Sequence, residues 1–200
     1  MRMAAPPDVP VTDDDAALIE RSWHHPEAFA VLYDRYFEEI HRYVSGRLGT
    51  QIADDLAAET FLVAFRKRQT FDSARGAVRP WLYGIATNLL AQYGRSETRR
   101  LAAFQRAPAG EVADDGHEDR VTARVAAANA QGRLAAALGR LSAGDRDVLL
   151  LVALADLTYE EVAQTLDIPF GTVGSRLNRV RKKLRRALGG VNPMIGGFDG

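Results

Sequence analysis

The chain has 200 residues, 46% of them hydrophobic and 26% charged, with 26 basic residues balanced by 26 acidic ones and no cysteine. A chain of this size and make-up forms one ordinary globular domain or two small ones, and the lack of cysteine excludes disulfides and thiolate metal sites. There is no basic-then-apolar leader and no apolar run of the ~18–20 residues needed to span a bilayer, so a cytoplasmic protein without membrane insertion is expected.

Residues 1–12 hold three prolines and no periodicity and read as a disordered arm. Thr12 or Asp13 is placed to cap a short helix through Trp23, with acids near its positive end. A second helix is expected over Glu27–Leu48, where Phe29, Leu32, Tyr33, Tyr36, Ile40 and Val44 recur at helical spacing, with Gly49 as its stop. A third is expected over Gln51–Arg68, apolar along two stripes (Ile52, Leu56, Val63 and Phe61, Phe65) and therefore clasped between neighbours. Thr70–Ala77 reads as a loop. A fourth helix starts near Val78, tolerates Pro80 in its first turn, and fades near Arg100. Residues 101–120, rich in Ala, Pro, Gly and acids, read as an acidic linker. Helix is expected again from Val121 to Arg140. A capping pattern at Ser142–Asp145 and a capping box at Thr158–Glu161 open two more helices. Asp167-Ile168-Pro169 makes a turn, a last helix runs from Phe170 to Leu188, and residues 189–200 read as a flexible tail. No strand alternation is present. The expected class is all-α: two small helical domains, 13–100 and 121–188, joined by a flexible linker.

The segment Leu157–Leu188 carries the most specific pattern, a capped short helix, a proline-bearing turn and a longer basic helix, as in a helix-turn-helix unit. Val173, Leu177, Val180, Leu184 and Leu188 form one apolar stripe on the last helix. Thr172, Ser175, Arg176, Arg179, Lys182, Lys183 and Arg186 lie on the other side. Seven Lys or Arg occur between Arg176 and Arg186 without one acid. Groove reading needs this partition, because one side must be held rigidly while the other offers donors. Thr172, Ser175 and Arg176 sit where a recognition helix meets base edges. Arg179, Lys183 and Arg186 suit phosphates, which add affinity without sequence information.

Two pairs of motifs add a resemblance. Asp54-Asp55-Leu56-Ala57-Ala58-Glu59-Thr60-Phe61, followed by Pro80-Trp81-Leu82-Tyr83-Gly84-Ile85-Ala86-Thr87-Asn88, resembles region 2 of the extracytoplasmic-function (ECF) sigma factors of the sigma-70 family. Tyr159-Glu160-Glu161-Val162-Ala163, then Gly171-Thr172-Val173-Gly174-Ser175-Arg176-Leu177, resembles their region 4. The likeness spans Phe29 to Leu188. It implies a sigma factor that directs promoter-specific initiation by RNA polymerase through −10 and −35 recognition, with no cofactor and no catalysis of its own. It implies polymerase binding by Asp54, Asp55 and Glu59 on the clamp helices, with Leu56 and Phe61 as packing, and region 4 on the flap. For the −10 strand it implies a base-receiving loop, Phe71–Ala77. Phe71 would offer a ring, Asp72 and Asn88 edge hydrogen bonds, and Arg79, Arg95, Arg99 and Arg100 phosphate contacts. Trp81, at helical spacing with Ile85, reads as core. An anti-sigma factor is a further partner the family often uses. The sequence departs from the family pattern at Ala58, where Gln is usual, and in a basic tract interrupted by Gly94, Glu97 and Thr98. The chain ends soon after the second motif pair, so an added C-terminal domain is not expected.

Other functions compete. A stand-alone helix-turn-helix regulator would bind duplex DNA without polymerase, but the first lobe lacks a phosphoacceptor strand pattern. A helical adaptor would not need the basic face. An enzyme finds no support, since His24, His25, His41 and His117 complete no metal spacing and no glycine-rich phosphate loop is present.

Overall fold

In the computed structural model, residues 14–104 and 132–188 are described, and all the regular structure among them is helical. The expected arm and tail, most of the expected linker and the first part of the helix expected from Val121 lie outside the described residues. The elements are α1 (Asp15–Arg21), α2 (Ala30–Leu48), α3 (Thr50–Lys67), α4 (Val78–Phe104), α5 (132–139), α6 (Ala143–Ala153), α7 (Tyr159–Leu166) and α8 (Phe170–Ala187), with single 3-10 turns before α2 and after α3. No described helix is long and apolar enough to cross a membrane.

Several boundaries differ from the sequence-based expectation, among them the end of α1, which stops at Arg21 rather than Trp23. Asp14, rather than Thr12 or Asp13, caps α1, its carboxylate accepting from the Ala16 N–H at 3.3 Å. The segment Pro26–Phe29 is a 3-10 turn and α2 begins only at Ala30. Pro26 can start a turn but has no N–H to give. Residues 101–104, assigned to the linker by composition, continue α4, because Leu-Ala-Ala-Phe are helix-compatible residues and the first proline is Pro108.

In the amino-terminal lobe α2, α3 and α4 pack together and α1 closes one end. Gly49 joins α2 to α3 at φ 83°, a conformation residues with a Cβ seldom adopt. Leu32, Ile40, Tyr43, Ala57, Phe61, Leu82 and Tyr83 fill the centre. Asp15 of α1 receives hydrogen bonds from Arg35 and Tyr36 of α2. The end of α1 is tied to the end of α3, with Trp23 Nε1 donating to the Arg68 carbonyl at 3.3 Å and Arg68 Nε donating to the Ser22 carbonyl at 3.2 Å.

In the carboxy-terminal lobe α7, the turn and α8 form the expected helix-turn-helix. The Thr158 box is complete: its Oγ1 accepts from the Glu161 N–H at 3.2 Å, and Glu161 Oε2 accepts from the Thr158 N–H at 2.9 Å. Replacing Thr158 by Ala removes one half of this pair. Equilibrium unfolding should then show a loss of about 1 kcal/mol, which Ser at the same position recovers. Asp167 takes the left-handed conformation (φ 50°, ψ 50°), which Asp tolerates better than most residues. Ile168 N–H then returns to the Ala163 carbonyl at 3.0 Å, ending α7, and Pro169 leads into α8. Val173, Leu177, Val180 and Leu184 are buried along α8, as their spacing predicts.

The two lobes share one apolar core. Val148, Leu151, Ala155, Leu157, Val162, Val173 and Leu177 belong to the same buried cluster as the amino-terminal helices, while Ala137, Leu141, Leu149, Val180 and Leu184 form a smaller one. The seam is closed by long-range polar contacts. Arg47 Nη2 donates to Asp147 Oδ1 at 2.7 Å, and Thr165 Oγ1 donates to the Pro80 carbonyl at 3.2 Å. Gly84 lets α4 approach α7: a Cβ there would lie 3.0 Å from the Thr165 carbonyl oxygen, a backbone atom that cannot simply swing aside.

Candidate functional site

Three surfaces carry the residues singled out from the sequence. The first lies on α3. Asp54, Asp55 and Glu59 are exposed on one side of the helix, while Leu56 and Phe61 are buried beneath them. His41 of α2 lies 2.9 Å from Asp54. Two apolar side chains of the same helix pair are exposed, Tyr33 of α2 and Leu62 of α3. Tyr33 stacks on Phe37 at 4.8 Å and meets Phe61 edge-on at 5.0 Å. Tyr33 and Leu62 escaped the sequence reading because helical spacing assigned Tyr33 to the core, and Leu62 sits between two buried stripes.

The second surface is the loop before α4. Phe71 is half-buried and packs against Trp81, ring centres 5.1 Å apart. Asp72 is exposed and its Oδ1 accepts from the Ala74 N–H at 3.0 Å, which shapes the turn. A recess of about 340 Å³ opens here, lined by Thr70, Phe71, Asp72, Arg75, Gly76 and Trp81 together with Gln164 and Asp167 of the other lobe. Trp81 is thus partly core and partly a wall of the recess. Asn88, Arg95, Arg99 and Arg100 are exposed along α4. Arg99 Nε donates to the Arg95 carbonyl at 3.2 Å, and Arg100 pairs with Glu97 at 3.5 Å. Arg79 is engaged within the protein. Nε donates to Glu39 at 2.9 Å, Nη1 to Glu161 at 3.2 Å and Nη2 to the Ala155 carbonyl at 2.9 Å.

The third surface is α8. Helical periodicity sets Ser175, Lys182 and Arg186 opposite the buried stripe, and all three are exposed. Thr172, Arg176, Arg179 and Lys183 lie on the flank toward α6. There Arg176 Nη1 reaches the Gly144 carbonyl at 3.5 Å. Arg179 and Lys183 both bind the Asp145 carboxylate. On the opposite flank Arg181 Nη2 donates to the Tyr159 hydroxyl at 3.4 Å.

The sequence pattern gives Asp145 only a capping role. Ser142 Oγ does accept from its N–H at 3.3 Å, but the carboxylate is taken up by the two cations of α8. Burial pushes its pKa up, yet the Lys183 hydrogen bond and the Arg179 charge outweigh that and hold the carboxyl below the usual range. The stability this pairing contributes is therefore present at neutral pH and is lost as pH falls through the lowered value. Asn178, exposed near the middle of the outward side, was also missed, since attention to charge alone passes over an amide. Among the described residues no group of three or more His, Cys, Asp or Glu is placed to hold a metal ion.

Residues 32–100 match the family model for sigma-70 region 2, and residues 131–184 match that for sigma-70 region 4. The ECF RNA polymerase sigma factor BldN of Streptomyces coelicolor is 31% identical over 186 residues, 90% of this chain and 69% of that protein. The RNA polymerase sigma factor CnrH of Cupriavidus metallidurans is 33% identical over 143 residues, 68% of this chain and 72% of its own. The solved structure of CnrH in complex with the cytosolic domain of CnrY matches with a TM-score of 0.59 and 26% identity, over 88% of this chain and 98% of that one. The sigma factor RpoE in complex with the anti-sigma factor NepR from Bartonella quintana shares the fold, with a TM-score of 0.57 and 21% identity over 80% of this chain and 96% of that one.

Proposed function

The chain belongs to the sigma-70 family of RNA polymerase sigma factors, in its extracytoplasmic-function group, and from that footing we propose how its surfaces divide the work of initiation. The amino-terminal lobe (13–100) docks on the polymerase clamp helices through Asp54, Asp55 and Glu59. Tyr33 and Leu62 are the apolar anchors at the centre of that contact and the acids its charged surround. Replacing Asp55 and Glu59 by Lys should slow association with core polymerase about tenfold, an effect that weakens with added salt. Surface plasmon resonance with immobilised core enzyme measures this directly.

The loop at Phe71 receives a base of the −10 element. Phe71 and Trp81 provide ring surface, Asp72 and Asn88 provide edge partners, and Arg95, Arg99 and Arg100 hold the strand. The lobe over 121–188 places α8 in the major groove of the −35 element and rests on the polymerase flap. For Arg79 to join the −10 phosphates, its bonds to Glu161 and the Ala155 carbonyl must break. Engagement of both promoter elements therefore opens the seam between the lobes. An anti-sigma partner that covers these surfaces or holds the seam closed blocks initiation. All the bond-making chemistry is the polymerase's, in the cytoplasm where that enzyme works.

One observation carries this reading: α8 is buried along one edge and presents Ser175, Lys182 and Arg186 from the other, in a helix-turn-helix with a capped first helix. The experiment is run-off transcription from a pool of genomic fragments with core polymerase and the purified chain. Transcripts that depend on the chain and share two upstream elements at fixed spacing are expected. No such transcript from a folded chain overturns the reading. A shift of duplex DNA by the chain alone, with no effect on polymerase, favours a stand-alone regulator instead.

A further inference from the structure

Asp145 has no counterpart in the division of labour above. It sits in the first turn of α6, 2% exposed, directly under α8. Its Oδ1 accepts from Arg179 Nε at 3.2 Å and Nη2 at 3.0 Å, and its Oδ2 accepts from Lys183 Nζ at 3.2 Å. Both partners remain open on their far sides, Arg179 with 55% and Lys183 with 45% of its side chain exposed. A guanidinium held by one edge still has donors to offer along the other, and an ammonium with one bond made has two left.

We infer that Asp145 is a positioning residue for the DNA-reading helix, holding Arg179 and Lys183 as a fixed pair of phosphate ligands and so exchanging non-specific affinity for sequence discrimination. This rests on the reading of α8 as the −35 helix.

Two opposing effects follow from one buried carboxylate. Long cationic side chains normally lose rotamer freedom when they bind, and here much of that ordering has already happened. Arg179 and Lys183 are four residues apart, so they stand about 6 Å apart along the helix axis, at a spacing set by the backbone rather than by a flexible stem. Against this, Asp145 cancels one positive charge where the DNA backbone arrives. Non-specific binding depends on the number of phosphates neutralised and on little else, so it is weakened. A correctly docked complex uses the fixed geometry, and a sliding one does not.

The test uses the full chain with core polymerase. The wild-type holoenzyme first selects a −35 duplex from a pool randomised at that element, and the selected and scrambled duplexes are then compared by fluorescence competition over a range of salt. With Asp145→Asn, affinity for the scrambled duplex should rise several-fold at low salt, and the salt slope should steepen by about 0.9, the value of one added phosphate contact. The preference for the selected duplex should fall roughly tenfold, a difference of about 1.4 kcal/mol. If the Asn variant does not fold, Asp145→Leu removes the charge without leaving a buried amide and should show the same three changes. A merely structural Asp145 would lower the melting temperature and leave slope and preference unchanged; that result overturns the inference while the −35 reading stands. Failure of the wild type to select any sequence overturns the −35 reading itself.

Discussion

Replacing both Lys182 and Arg186 by Glu should leave the fold intact and reduce promoter binding by the holoenzyme roughly 100-fold at low salt, about 1.4 kcal/mol for each side chain. Both are exposed and point away from the buried stripe, so neither substitution disturbs packing. Each reversal removes a cation from the DNA face and adds an anion in its place, and like charges a few ångströms from phosphate cost on the order of 1–4 kcal/mol at surface dielectric values. The slope of log affinity against log salt should become shallower by roughly 1.8, two phosphates' worth. Arg181→Glu is the internal control. It lies on the α7 flank against the Tyr159 hydroxyl, and should change affinity far less although the formal charge change per site is the same. Equal losses at all three positions would show that net charge alone, and not the orientation of α8, governs binding.

The second large effect concerns the seam. Arg47 and Asp147 are 12% and 17% exposed, 100 residues apart in sequence, and joined at 2.7 Å. Arg47 also donates to the Tyr43 hydroxyl at 2.8 Å, which in turn meets Thr87 at 2.9 Å, so the pair ends a chain of polar contacts that runs into the amino-terminal core. Burial pushes the Tyr43 phenol up, keeping it protonated and able to take part as a neutral group. Asp147→Ala leaves a mostly buried guanidinium without its carboxylate and should cost roughly 1.5–3 kcal/mol. The apolar pair Arg47→Met with Asp147→Leu should come close to neutral, because both desolvation costs vanish together. A double-mutant cycle by urea unfolding gives the coupling energy of this pair across the seam. Additive single effects would mean that this pair contributes no coupling energy between the lobes. Strong coupling is expected, since one buried cluster already spans both.

These two cases divide along a physical line. The amphipathic stripe of α8, the Thr158 box and the Gly49 stop are local: each is determined by residues within a turn or two, where a 3.6-residue period or a missing Cβ acts directly. They were legible in the chain, as were the motif pairs at Asp54–Phe61 and Gly171–Leu177 that carry the family likeness. Boundaries such as Asp14 for Asp13, or α4 continuing through 101–104, slipped because helix ends depend on small differences among several adequate caps.

What the chain alone determined, then, is that it is all helix, that its last helix has one greasy and one cationic side, and which family's motifs it bears. The partner of each polar group was decided by tertiary structure. That Arg79 is held by Glu39, Glu161 and the Ala155 carbonyl, that Arg47 reaches Asp147, and that Asp145 turns from its cap toward Arg179 and Lys183 all depend on how helices distant in sequence come to lie side by side. Side-chain charge states what a group can bind. Only the packing of the backbone, including a glycine at 84 that lets α7 come close to α4, brings one partner rather than another within about 3 Å.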